Sequence, residues 1–358
     1  MRILFLSDAE TYHTQRWVDY FADQGHRCFL ISLERGFRTK AEEFIIPPRC
    51  PLDFLKYALS VPRISKIART IKPDLVNAHF VPSYGLIGAL LKIHPLVVST
   101  WGSDVLISPQ KSRLQKLRAQ YVLKRADLVT ADSSVSAEAA HRLGVEREKV
   151  VTYPMGVARD LIGAQEKKDK PYLLIMTNRR LEPLYDVVTM VKAIPLVIET
   201  VKKEDVRFVI IGEGSLKRDL LNLAVKLKAE GHVEFKGIVS RQELIRHYQD
   251  ADIYVSTSLS DSTSVSLLEA MNFGLIPIVT DVPGNREWIE DQKNGLLFPP
   301  SNHRALAEKI TCAVNVCARW PEFRKKNETI IKSRAVWEDN MKAVEGEFLR
   351  ILGRSSDV

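Results

Sequence analysis

The sequence predicts an α/β protein made of two doubly wound, parallel-sheet lobes of Rossmann type. Three observations predict it. Short runs rich in Val, Ile and Leu alternate with longer stretches at helical spacing. The alternation occurs twice, once on each side of a charged stretch at Gly163–Lys170. Polar, small-residue loops follow directly on several apolar runs, which is where open parallel sheets place their ligand sites.

In the first lobe, residues 1–162, the expected strands are Arg2–Leu6, Arg27–Ser32, Leu75–Ala78, Val97–Thr100 and Leu128–Ala131. Each is a continuous apolar run rather than an alternating one, as a strand covered on both faces requires. Residues 163–170 read as the linker. The second lobe, 171–335, repeats the pattern with Tyr172–Met176, Arg207–Ile211, Val233–Phe235, Ile253–Ser256 and Ile276–Thr280, and with a helix at Arg304–Cys317. The last segment, 336–358, reads as a helix over Trp337–Leu352 with Ala343, Val344, Phe348 and Ile351 as its apolar stripe, crossing back to the first lobe.

A chain of 358 residues, 45% hydrophobic and 27% charged, can fill two such cores. No stretch approaches the roughly 20 apolar residues of a membrane span. The opening MRILFLSDAE reaches acidic residues too soon for a signal peptide, so a cytoplasmic location is expected. The spacing of Cys28, Cys50, Cys312 and Cys317 matches no zinc or redox motif, and they read as buried thiols. The net charge of +8 favours an anionic partner. Between Leu106 and Arg125 there are six cations and no acid, interleaved with Leu114, Leu117, Tyr121, Val122 and Leu123. Such a basic amphipathic helix is either a solvated helix packed on a sheet or a surface for an anionic acceptor or an anionic membrane. In the last case the contact is peripheral, through Lys111, Arg113, Lys116 and Arg118. No basic-aromatic pattern of a nucleic-acid module is present, so nucleic acid is not an expected partner.

The most informative stretch follows the run Ile253–Ser256. There a loop, Ser260–Ser264, leads into a helix beginning near Val265. A helix starting at a strand end aims free N–H groups and its dipole at a phosphate, and Ser264 and Ser266 add hydroxyl donors. Glu269, one turn in, can accept hydrogen bonds from two vicinal hydroxyls such as those of a ribose. The plain alternative is a core helix with an exposed Glu.

These residues resemble the retaining glycosyltransferases of family 4, the glycogen synthase-like or group 1 glycosyltransferases. Asp261 and Glu269 with SLLEAMNFGLIPIV are similar to the E-x7-E signature, followed by Gly274, Pro277 and Gly284. MRILFLSDA, NAHF, STWGSDVL, KRADLVTADSS, YPMGV, NRRLEPL, IIGEG, VEFKGIVS and NGLLFPP fall in the family's order along essentially the whole chain. The resemblance implies the GT-B fold, two lobes facing each other across a cleft, with acceptor on the N-terminal lobe and nucleotide-sugar donor on the C-terminal one. It gives Glu269 the ribose, Asp261 the donor-sugar hydroxyls and Arg180 the diphosphate, with Arg179 an adjacent spare or a solvated residue. It places Gly212 and Gly214 in a tight turn, Ser264, Val265 and Ser266 at the phosphates, and the Ile238 backbone at the base. It further implies retention of anomeric configuration and transfer to a glycolipid, polysaccharide or small molecule, with the nucleotide-sugar as substrate and no cofactor. The sequence shows no D-x-D triplet in a strand-end loop, so no metal is expected.

Several positions depart from the family pattern. Asp261 replaces Glu, and Ser262 and Ser264 replace glycines. Tyr185 stands where the resemblance expects the second phosphate-gripping cation, a lysine. The double-glycine loop after the first strand is replaced by Glu10, Thr11, Tyr12, His13 and Thr14, and Trp101, before Gly102, takes a histidine's place. His79 and His13 are the candidates to replace that histidine. Asp104 either orients the acceptor, or acts as its base, or caps the turn at Gly102. The rival readings are a catalytically impaired nucleotide-sugar binding subunit and a sugar-nucleotide epimerase or phosphorylase on the same frame.

Overall fold

The computed structural model describes residues 1–50, 52–163, 170–201 and 205–354, which form two compact units. The first comprises Met1–Pro154 with Glu338–Val358, and the second Met155–Trp337.

In the first unit β1 (Arg2–Leu6), β2 (Arg27–Ser32), β3 (Glu42–Ile45), β4 (Leu75–His79), β5 (Leu96–Thr100), β6 (Leu128–Ala131) and β7 (Val150–Thr152) form one sheet. Its order is β3-β2-β1-β4-β5-β6-β7, parallel throughout. The second unit carries β8 (Leu173–Thr177), β9 (Val206–Ile211), β10 (Val233–Gly237), β11 (Ile253–Ser256), β12 (Ile276–Thr280) and β13 (Leu296–Phe298), in the order β10-β9-β8-β11-β12-β13. The strand order reverses between β1 and β4 and again between β8 and β11, so the carboxyl ends there are natural crevices. All ten expected strands exist. The three that sequence reading missed, β3, β7 and β13, lie at or next to sheet edges, and β3 reads Glu-Glu-Phe-Ile because an edge strand need not be apolar on both faces.

The unit boundary falls at Pro154/Met155, eight residues before the expected 162. Val157 accounts for this: it hydrogen-bonds to Ala335 and Trp337 at 2.8 Å each and so belongs with the second unit. Most of the expected linker, 164–169, lies outside the described residues. The terminal helix Trp337–Ile351 is counted almost wholly with the first unit, where Phe348 stacks on Phe21 at 5.1 Å and Glu345 meets the His26 ring at 2.6 Å.

Two expectations need correction. Only Cys28 is buried, whereas Cys50 is half-buried, and Cys312 on helix His303–Asn315 and Cys317 in the turn after it are exposed. The basic segment is broken at Ser112 into helices Ser108–Lys111 and Arg113–Leu123, and it buries Ala119, Val122 and Leu123 but not Leu114 or Leu117. At about 100° per residue those two leucines point away from the buried three, so the expected single apolar stripe is two stripes on opposite faces. Among the described residues no helix is long and apolar enough to cross a membrane.

Candidate functional site

In the second unit the loops after β8, β9 and β10 enclose a pocket of about 480 Å³. Asn178, Arg179 and Arg180 come from the first loop, Gly212 to Gly214 from the second, and Gly237 with Ile238 from the third. These loops touch so closely that Gly212, at φ 139°, leaves no room for a side chain: a Cβ there would stand 2.3 Å from the Arg179 carbonyl oxygen. Arg180 is exposed on this pocket, and Ile238 is 83% exposed at its edge.

The sequence reading made Arg179 the spare. The structure removes the alternative that it is solvated, because Arg179 is the buried arginine. Its Nη2 donates to both Asp261 carboxylate oxygens at 2.8 and 2.9 Å, its Nη1 donates to Ser264 Oγ at 2.5 Å, and its guanidinium lies 4.6 Å over the Tyr185 ring. Burial opposes its charge, but the Asp261 carboxylate together with Tyr254 and Tyr185 outweighs that and holds the guanidinium protonated. Arg179 and Asp261 each expose only 10% of their side chains, so the pair is bound into the fold. The Tyr185 ring faces this cation and packs against the core of the second unit.

Ser264 and Ser266 also differ from expectation. Ser264 caps helix Val265–Asn272 by accepting from the Leu267 N–H, and Ser266 Oγ donates to the Asn178 carbonyl at 3.3 Å. Their hydroxyls hold the β8 loop against the helix rather than standing free. The N–H groups of Val265 and Ser266 open the helix and have no carbonyl partner within it.

Glu269 is buried, which removes the reading of an exposed Glu on a core helix. Its Oε1 lies 2.7 Å from Arg241 Nη2. Beside it the Tyr248 hydroxyl accepts from Asn178 Nδ2 at 2.8 Å and donates to the Ser266 carbonyl at 3.2 Å. Burial, with the Glu269 carboxylate adding to it, holds that phenol well above its ordinary pKa. Asn178, Tyr248 and Arg241 escaped the sequence reading. Ser240 and Glu243 form a capping box that starts helix Arg241–Asp250, and that Ser-x-x-Glu spacing after β10 was the signal that could have located Arg241.

In the first unit, a pocket of about 260 Å³ lies beyond β1 and β4, with Asp8, Thr11, Tyr57, His79, Ser83 and Trp101 among its lining. His79 is fully buried, with Nδ1 at 2.9 Å from Ser7 Oγ and Nε2 at 2.8 Å from Asn77 Oδ1. Both nitrogens are thus engaged, and burial, with His13 adding to it, pushes the ring down to about pKa 3. His13 is lowered to about 4 by burial and then by Arg16. Both rings touch Trp101, at 4.9 and 5.7 Å between centroids, so the tryptophan fills the space between them. The His13 Nδ1 and the Trp101 Nε1 are enclosed without a hydrogen-bond partner among the described residues.

Asp104 accepts from the Val81 N–H and the Trp101 N–H, each at 3.0 Å, and is fully buried. Burial raises it to about pKa 6 despite those N–H groups. This is the geometry of a turn cap, and Gly102, at φ 96°, supplies the left-handed residue that starts the turn. Glu10 is exposed, its backbone N–H bonded to Asp8 Oδ1 at 2.9 Å.

The chain matches two family models. One, described as glycosyl transferases group 1, covers residues 158–326, and the other, described as glycosyl transferase 4-like, covers residues 2–133. Over 179 residues it is 33% identical to the UDP-N-acetylglucosamine–peptide N-acetylglucosaminyltransferase GtfA subunit of Streptococcus pneumoniae, which is 49% of this chain and 34% of that protein. It is 26% identical over 262 residues to the putative colanic acid biosynthesis glycosyltransferase WcaL of Escherichia coli, covering 68% of this chain and 62% of that one. The chain therefore spans about a third of the first relative's length and under two thirds of the second's. Among solved structures, HepE of Anabaena in complex with UDP and glucose superposes with a TM-score of 0.80 at 19% identity, over 98% of this chain and all of that one.

Proposed function

The chain belongs to the group 1 glycosyltransferases and has their GT-B units, and we propose that it moves a sugar from a nucleotide diphosphate sugar to an acceptor with retention of configuration and without a metal. The observation that carries this reading is the pocket beyond β8, β9 and β10, with the exposed Arg180 on its wall and the buried Arg179 held at the N-terminus of helix Val265–Asn272. The solved complexes of HepE with UDP and with UDP-glucose support a nucleotide-sugar ligand.

In this reading the diphosphate meets Arg180, Arg179 and the Val265 and Ser266 N–H groups, where opposite charge and fixed dipoles stabilise the leaving group. Glu269 takes the ribose hydroxyls, exchanging part of its contact with Arg241 for them. The Ile238 backbone takes the base. A diphosphate that draws Arg179 to itself releases the Asp261 carboxylate, which then accepts hydrogen bonds from the donor sugar. The bond from the anomeric carbon to phosphate oxygen breaks, the acceptor oxygen bonds to the same face, and its proton passes to the departing phosphate. His79 has no free nitrogen for this step and Asp104 is occupied as a cap, so the proton's destination is the leaving group. A glycolipid, a polysaccharide and a small molecule all remain acceptor classes for the test.

The test is thermal stabilisation across UDP-, GDP-, ADP- and TDP-sugars, since ligand at one hundred times its Kd adds about 2.7 kcal/mol. A selective upward shift, followed by product whose anomeric configuration matches the donor's by NMR, is expected. Inversion of configuration would refute the retaining assignment, and no shift with any donor would refute the site. A second reading, a nucleotide-sugar binding subunit, is favoured by the mutual neutralisation of Arg179 and Asp261. It predicts a thermal shift with neither donor hydrolysis nor transfer.

A further inference from the structure

The first unit holds another cavity, of about 370 Å³, at the amino ends of β1, β2 and β3 and so on the opposite edge of the sheet from the Trp101 pocket. Strand pairing builds it. Arg2 pairs in register with Arg27, and Phe29 pairs with Glu42. Side chains on one face recur every second residue, so Arg2, Arg27, Phe29, Glu42 and Phe44 all share one face of the sheet. Helix Asp53–Ile71 covers that face, and its last turns bring Ile67 and Ile71, four residues apart on one side of the helix. The floor of the cavity is therefore apolar, made of Phe29, Phe44, Ile67 and Ile71, while its rim carries the cations Arg2, Arg27 and Lys66 against the single carboxylate of Glu42. The fold leaves these charges largely uncommitted. Arg27 and Glu42 meet only at 3.6 Å with more than half of each side chain exposed, a weak pair in water. The Arg27 guanidinium stands 5.1 Å from the centroid of the Phe29 ring, which holds it over the floor. The Arg2 Nε is enclosed and has no hydrogen-bond partner among the described residues. A buried donor without an acceptor is rare in native proteins and points to an acceptor that arrives from outside.

We infer that this cavity binds a small organic acid, with its aliphatic or aryl body on the four apolar side chains and its carboxylate at Arg2 and Arg27. Both halves of the ligand are required. A free inorganic anion leaves the floor uncovered, and a neutral apolar molecule leaves the Arg2 Nε unpaired. The volume is that of a site for one small molecule. It stands apart from both pockets already described. The pocket beyond β8, β9 and β10 belongs to the second unit, and the five residues of β1, about 16 Å at the rise of a strand, separate the cavity from the Trp101 pocket. The acid therefore competes with neither sugar nor nucleotide and binds as an effector rather than as a substrate. Seated there, it ties helix Asp53–Ile71 to the edge strand β3 and stabilises the first unit. The inference goes beyond the transferase reading, and its test needs no nucleotide and no turnover, so either can fail alone.

The experiment titrates the full chain with sodium hexanoate, followed by backbone amide NMR shifts and by melting. Saturable shifts gathered at Arg27, Phe29, Glu42 and Phe44 and along Lys66 to Ile71 are expected, with a higher melting transition of the first unit. Hexanol and inorganic phosphate, which carry one half of the ligand each, should bind at least tenfold more weakly. Arg2→Gln should weaken hexanoate by about tenfold or more, as loss of one charged hydrogen bond does, and Arg2→Lys should recover part of that. At the exposed rim the expected changes are about two- to fivefold and of opposite sign: Lys66→Gln weakens binding and Glu42→Gln tightens it. Thr70→Trp, placed at an exposed position on the cavity wall, should block the cavity. Melting of the ligand-free variants confirms that each folds, and the two rim variants keep the test open if Arg2→Gln does not. The inference is overturned if hexanoate gives no saturable shifts, if hexanol binds as well as hexanoate, or if the rim variants and Thr70→Trp bind hexanoate like the parent.

Discussion

The contact between Arg179 and Asp261 sets two chemistries against each other, because the same guanidinium can serve the carboxylate or a diphosphate. The two side chains are nearly buried, so removing one leaves an uncompensated charge. Arg179→Ala should cost about 3 kcal/mol of stability and weaken binding of the donor's nucleotide diphosphate by about tenfold or more, as the loss of one charged hydrogen bond does. Asp261→Asn frees the arginine and should bind that nucleotide more tightly while transfer falls. Calorimetric titration of both variants checks the pair, and effects of the same sign on affinity would remove the competition. The buried histidines supply a second prediction. Below about pH 6.5 the unfolded chain protonates His79 and His13, while the folded unit does so only near 3 and 4, so stability falls as pH falls. Asp104 opposes this: its contribution is complete below 3.8 and is lost as pH rises through about 6. Two groups against one leave a net uptake of about one proton on unfolding between pH 6 and 5, or about 1.4 kcal/mol per pH unit. Urea midpoints measured against pH should show that slope, and His79→Gln should flatten it.

At the scale of elements, the pocket beyond β8, β9 and β10 is shaped by loops after β8 and β9 that pack backbone to backbone. Gly212→Ala puts a methyl group 2.3 Å from the Arg179 carbonyl at a strained positive φ, so the β8 loop must move. A loss of about 2 kcal/mol or more is expected, with nucleotide affinity falling further than stability, because Arg179 and Arg180 shift with that loop. Denaturant unfolding and titration together check it, and a variant that binds like the parent would mean the pocket does not use this turn. The helix Val265–Asn272 was legible from its small-residue entry and from Glu269. Its partner Arg241 was not, because it comes from a separate capped helix that only the sheet order brings alongside.

At the scale of the whole molecule, the chain interrupts its first unit with its second and returns to finish the first. The terminal helix contributes Phe348, fully buried against Phe21, and Glu345, paired with His26. Phe348→Ala should lower the stability of the first unit by about 3–5 kcal/mol and leave the second almost untouched. Calorimetry with and without donor nucleotide separates the two, since nucleotide should raise only the transition of the second unit. A nucleotide-sensitive transition that falls with Phe348→Ala would contradict that division.

What the sequence determined by itself was the pair of parallel-sheet units, the positions of their central strands, the strand-end loops that line the two pockets, and the resemblance to the group 1 glycosyltransferases. All of these are written in separations of a few residues, as runs, caps and helical spacing. The tertiary structure decided which of two adjacent arginines is buried, that Glu269 meets Arg241, that both nitrogens of His79 are engaged, and that Leu114 and Leu117 face outward. Arg179 and Asp261 are 82 residues apart and His79 and Ser7 are 72 apart. Contacts over such distances depend on strand order and on how far each helix is rotated against its sheet, and the packing of the core sets both.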